Sequence, residues 1–208
     1  MAIKDRIKAW GRNFLDIKNV DVKRPKSTDF ITTQQSIFER SNKHIKEWIE
    51  ASETAQDTSN PDRFDLMDLY YEIRTDAHLS AIIDTRKENL LSIPISFADE
   101  NGEINEDVTN RLNRKWFYDF MSIVLDKIFY GFEVVEFGEI KNDEFLWVEK
   151  VKEQFVIPQF GEIKLTEGAR AGSSDNIKLD DPRYAKWMLS FGDKDSLGLL
   201  DKACPLVI

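Results

Sequence analysis

The stretch "FYGFEVVEFGEI", Phe129–Ile140, decides how the chain is read. A glycine divides it: the residues before Gly131 are apolar in the manner of a helix, and those after it alternate with the period of two of a strand. Gly131 and, further on, Gly192 are candidate backbone turns, Gly131 as the residue with positive φ that closes a helix. The strand carries Glu133, Glu136 and Glu139, which could be catalytic carboxylates, a metal site or the wet edge of a structural sheet. In a strand Phe132, Val134, Glu136 and Ile140 share one face, and Glu133, Val135, Phe137 and Glu139 share the other. Glu133 and Glu139 lie at the ends of their face, where exposure costs little. Glu136 lies among apolar neighbours and needs a cation if buried. An ion pair of Glu136 with Arg86, or with Arg74, is therefore expected to tie the sheet to the helices before it.

Upstream of Gly131 the pattern is helical. Apolar stripes run through a helix from about residue 36 (Phe38, Ile45, Trp48, Ile49), a helix with Phe64, Leu66, Leu69, Tyr70 and Ile73, and a long helix near 77–91. Asp76 is the expected helix cap of the last. Its inward residues are expected to be Leu79, Ile82, Ile83, Leu90 and Leu91. Ile93–Phe97 reads as a short strand, at an edge because of Pro94. Residues 105–118 and 121–130 read as two further helices. Downstream, strands are expected at 132–140, 145–151, 155–157, 163–165 and 185–191. A hairpin loop is expected at 141–144, a mobile loop at 166–181, and a helical segment from 196. Helices first and strands second make an α+β fold, with the N-terminal helices followed by a mostly antiparallel sheet. The expected division is 1–30, a basic helix and linker, and 31–208, the α+β domain: 31–130 mainly helical, 131–191 mainly strands, 196–208 the start of a further helical segment.

The 208 residues carry a net charge of −9. Residues 1–26 hold eight Lys/Arg against three Asp/Glu, +5, which leaves −14 for the rest. Ile3, Ile7, Trp10 and Phe14 fall at helical spacing there, so Lys4, Arg6, Lys8 and Arg12 form a candidate basic contact arm. It could dock on its own fold, on a neighbouring subunit or on a membrane surface. The acidic remainder should repel nucleic acid rather than grip it.

One cysteine, Cys204, and two histidines exclude a disulfide framework and a Cys- or His-based zinc site. No apolar run reaches the length of a membrane span and the N-terminus lacks a signal-peptide core, so the chain is expected to act inside a cell. Phosphate-loop, GxSxG and HExxH motifs are absent. Glu133 and Glu136 point to opposite faces and cannot form the facing carboxylate pair of a glycosidase. No catalytic residue, metal or cofactor is expected.

Three blocks carry a resemblance: "LYYEIRTDAHLSAIIDTRKENLLSIPISF", "DKIFYGFEVVEFGEI" and "MLSFGDKDSLGLLDKACPLVI". In this order and spacing they resemble the portal proteins of tailed bacteriophages, most closely the Mu-like family. The resemblance implies a wing-type domain with "YGFEVVEF" as a sheet strand. It implies a structural component of a dodecameric ring at one capsid vertex, through which double-stranded DNA is packaged and ejected. Its implied partners are other copies of itself, the terminase, a head-completion adaptor and the major capsid protein, with no membrane. The implied place is the virion, after synthesis in the bacterial host cytoplasm. Members of the family are longer than this chain, so it reads as an N-terminal piece and is expected to be a monomer or weak oligomer by itself. A phage or cellular adaptor that forms no channel, and a hydrolase built on Glu136, are the alternatives.

Overall fold

Gly131 divides the molecule as it divides the sequence. In the computed structural model, residues 44–142 and 144–207 are described, and all of them fall in one compact unit. The expected N-terminal helix and linker, the candidate arm Lys4, Arg6, Lys8, Arg12 and the first part of the helix expected from residue 36 lie outside the described residues.

Among the described residues five helices precede the glycine: α1 (44–55), α2 (Phe64–Ile73), α3 (Ala77–Leu91), α4 (Glu106–Leu112) and α5 (Lys115–Tyr130). Asp76 is the N-cap of α3, its carboxylate accepting from the Leu79 amide at 2.7 Å. Eight strands and a final helix come after it: β1 (Phe132–Phe137), β2 (Ile140–Lys141), β3 (Glu144–Phe145), β4 (Val148–Lys150), β5 (Val156–Ile157), β6 (Glu162–Ile163), β7 (Ile177–Lys178), β8 (Met188–Gly192) and α6 (Gly198–Val207). All ladders are antiparallel, in three small sheets: β4-β1-β8, β2-β3 and β5-β6-β7. The fold is α+β.

β1 is the centre of the first sheet and is covered on both faces. Phe132 and Val134 pack with Val156 and Ile163 of the third sheet. Val135 and Phe137 pack with Val148 and with Phe120, Ile123 and Val124 of α5. A separate helical core joins Ala51 and Ala55 of α1, Leu66, Met67, Tyr70 and Ile73 of α2, and Leu200 and Cys204 of α6. Tyr70 donates its hydroxyl to the Leu197 carbonyl at 2.9 Å, so this aromatic is buried without an orphaned polar atom.

Four expectations need correction. Ile93–Phe97 joins no ladder: the sole pairing nearby is an isolated bridge, Ala98 to Ile104, and every residue from 92 to 107 is exposed. Of the α3 stripe only Ile83 is buried, while Ile82 and Leu90 stand open to solvent. The helical stretch 105–130 breaks at 113–114, so the second helix is the longer one. The loop 166–181 is tied down: buried Glu162 accepts from the Gly172 amide (2.8 Å) and the Asn176 side chain (3.0 Å), and β7 lies within it.

Candidate functional site: a buried charged joint

Where α5 ends and β1 begins, backbones meet at glycine contacts. Gly131 has φ 88°, Gly192 φ 118° and Gly198 φ 79°. A Cβ on Gly131 would stand 2.2 Å from the Ser196 carbonyl oxygen, and one on Gly192 2.2 Å from that of Gly131. The end of α5, the end of β8 and the approach to α6 are thereby pressed together.

Next to this crossing lies a set of buried charges. Arg63, at the start of α2, is 2 % exposed and donates to the Tyr130 carbonyl at 2.7 Å. Burial lowers its pKa, yet a guanidinium stays charged. Glu153 is also buried. It accepts from Lys150 Nζ at 2.5 Å and from the Tyr71 hydroxyl at 2.8 Å. Burial works to raise its pKa, but Lys150 and these hydrogen bonds outweigh it, so Glu153 is held ionised. Burial likewise opposes the Lys150 charge; Glu153 above all, then Glu133 and Asp126, keep the ammonium protonated above its usual range. Asp126 of α5 adds an ion pair to Lys150 at 3.5 Å and one to Lys87 of α3 at 2.5 Å. The chain of contacts therefore links α3, α5, β4 and the turn 153–155.

Glu133 sits on β1 within this set at 0 % exposure, and neither carboxyl oxygen receives a hydrogen bond. Burial first, and then the negative charge of Glu153, push its pKa up to about 10 against the pull of Lys150. The consistent state is a neutral acid, which can donate its proton toward Glu153. A pKa raised on folding means the folded state binds more protons than the unfolded chain between the ordinary carboxylate range and about pH 10. Stability from this group is fully present in acid and is lost as pH rises through that window. Between pH 6 and 9 the unfolding free energy is expected to fall by up to about 1.4 kcal/mol per pH unit, and Glu133→Gln to flatten that slope. Equal slopes in the two proteins would show Glu133 ionised in the fold.

The buried carboxylate is thus Glu133, not Glu136. Glu136 is half-exposed and opposes Glu149 across the ladder, a like-charge pairing that water must screen. Its expected ion pair is not among those of the described residues: Arg74 pairs with Asp84 at 3.3 Å, and Arg86 is exposed. Glu136→Gln is therefore expected to change stability by less than about 0.5 kcal/mol in chemical denaturation. Alternation could not find Glu133, because it assigns faces without saying that both faces of β1 are covered. Arg63, Lys150, Glu153, Asp126 and Lys87 carry no motif at all.

A buried acid with a raised pKa is often a mark of catalysis. Here it lines none of the described cavities. Among the described residues no group of three or more His, Cys, Asp or Glu could hold a metal ion, and no helix is long and apolar enough to cross a membrane. An open apolar groove of about 540 Å³, whose lining does not include Glu133, has Leu90, Ile93 and Ile95 along one wall and Leu112, Phe117 and Met121 along the other. The buried charges of the joint tie α3, α5, β4 and the turn 153–155 together.

The family model described as the portal protein of Mu bacteriophage matches residues 67–208. The chain belongs to this family. No curated protein matches it. The portal match begins inside α2 and takes in the glycine crossing, Lys87, Asp126, Glu133, Lys150 and Glu153, while Arg63 lies just outside it. Membership makes the portal chain a component of a phage particle.

Proposed function

We propose that the chain is the wing-like part of a portal subunit, one of several copies set side by side around a channel for double-stranded DNA. In this reading it is structural and not an enzyme. Its work is to hold a rigid shape while DNA passes during packaging and ejection, with the terminase, a head-completion adaptor and the major capsid protein bound elsewhere on the ring. A dodecamer is the assembly expected of the complete portal. The family match over residues 67–208 is the observation that carries this reading.

Two features support it. The charged joint stiffens the contact between helices and sheet without offering a reaction site. The net charge of −9 disfavours a tight hold on DNA, as suits a wall past which DNA must slide. The test is negative-stain imaging at concentrations where sedimentation detects association. Contacts between unlike surfaces of successive copies give arcs or rings of constant curvature, and these are expected. Two-fold dimers that grow no further would contradict the reading.

A further inference from the structure

Two parts of the surface lack a partner that their chemistry calls for. The first is residues 92–107, sixteen consecutive exposed residues that run from the end of α3 into the first turn of α4. Four large apolar side chains stand on this arm: Ile93 at 57 % exposure, Ile95 at 38 %, Phe97 at 46 % and Ile104 at 62 %. Its backbone is half of a ladder. The Asn105 amide donates to the Phe97 carbonyl and the Asp99 amide to the Glu103 carbonyl, both at 2.9 Å, across the Ala98–Ile104 bridge. In that geometry the amide and carbonyl groups of Ser96 and Ala98 turn away from the bridge, toward the open side.

The second is the outer edge of β8. The order β4-β1-β8 leaves β8 with one neighbour. The Phe137 amide donates to the Trp187 carbonyl at 2.8 Å, so the odd-numbered residues of β8 face β1 and Ser190 turns its amide and carbonyl outward. Ser190 is exposed, and Leu189 beside it is 48 % exposed. A strand edge of this kind accepts a further strand.

Charge favours the match. The arm holds five acidic residues, Asp99, Glu100, Glu103, Glu106 and Asp107, and no Lys or Arg. Beside β8, Lys186 and Lys194 are exposed near its two ends, while Arg183 is already held by Asp181 at 2.7 Å.

We infer that the arm 92–107 of one copy pairs along the β8 edge of the next, adding a strand to the β4-β1-β8 sheet. The inference rests on the proposed ring, for which it names the contact. Arm and edge are different surfaces, so the contact is head-to-tail and can continue from copy to copy. Ile95 and Phe97 then cover Leu189, and the acidic arm lies between Lys186 and Lys194.

The test mixes two single variants of the full chain, Ser96→Cys and Ser190→Cys, and treats the mixture with a short bis-maleimide. Both positions are exposed, and the native Cys204 is buried. A covalent dimer is expected from the mixture and not from either variant alone. Raising salt from about 0.05 to about 0.5 M should lower its yield several-fold, because the attraction is between exposed charges. A dimer from Ser190→Cys alone would mean that the edge pairs with itself and would overturn the inference. Association seen in sedimentation without this crosslink would place the contact elsewhere, overturning the inference and leaving the ring reading intact. Neither association nor crosslink would overturn the inference as well.

Discussion

Gly131→Val is expected to abolish cooperative folding, a loss of more than about 4 kcal/mol. Two effects add. A β-branched residue resists the φ of 88° that Gly131 adopts. Its Cβ would also lie 2.2 Å from the Ser196 carbonyl oxygen and 2.9 Å from the Gly198 nitrogen, both backbone atoms that cannot swing aside. Gly102 separates the two effects. It has a similar φ of 83°, but a Cβ there would meet nothing within 4 Å. Gly102→Ala should therefore cost only the torsional part, about 1–2 kcal/mol. Thermal unfolding followed by near-ultraviolet circular dichroism distinguishes these outcomes. A Gly131→Val protein melting within a few degrees of the parent would mean that the crossing of α5, β8 and the approach to α6 is looser than these distances require.

Lys150→Met is expected to cost about 3–5 kcal/mol, since it leaves the Glu153 carboxylate buried without the cation that holds it ionised. The companion substitution Glu153→Gln in the same chain should restore part of the loss, with a coupling above about 1 kcal/mol. A loss below about 1 kcal/mol, typical of a solvent-exposed pair, would show that water reaches the joint. Chemical denaturation of the two single variants and the double variant measures the coupling directly.

Much of the scaffold was legible in the sequence because local signals and tertiary demands agree there. Gly131 has the conformation that a helix-to-strand junction calls for, Asp76 caps the helix that its spacing announces, and β1 follows from a period of two. Legibility ended where a residue's fate depends on elements distant in sequence. Ile93–Phe97 has the composition of a strand, but a strand needs a neighbour, and the fold of one copy supplies none. The stripe of α3 has helical spacing, yet its C-terminal end, Leu90 and Leu91, lines an open groove. Glu133 and Glu136 exchange roles for the same reason. The face of each was readable, but the cover on the Glu133 face comes from α5 and the charges around it from α2, β4 and the turn after β4. The loop 166–181 is rich in Gly, Ser and Asp, and what fixes it is its pairing with β6 and the buried carboxylate Glu162, whose burial no local pattern reveals.

The joint and the arm divide the work of such a molecule. Buried charges that are costly to separate resist relative movement of helices and sheet, while the exposed arm and the open β8 edge are free to meet other copies. A subunit that must stay rigid beside moving DNA has use for both properties.

The place proposed for this chain is the portal vertex of a phage particle. The direct measurement is gold labelling of intact and tail-stripped particles with antibody raised against residues 44–207, viewed by electron microscopy. Label confined to one vertex of each capsid, and exposed by removal of the tail, is the result expected. Label spread over the capsid surface, or along the tail, would contradict it.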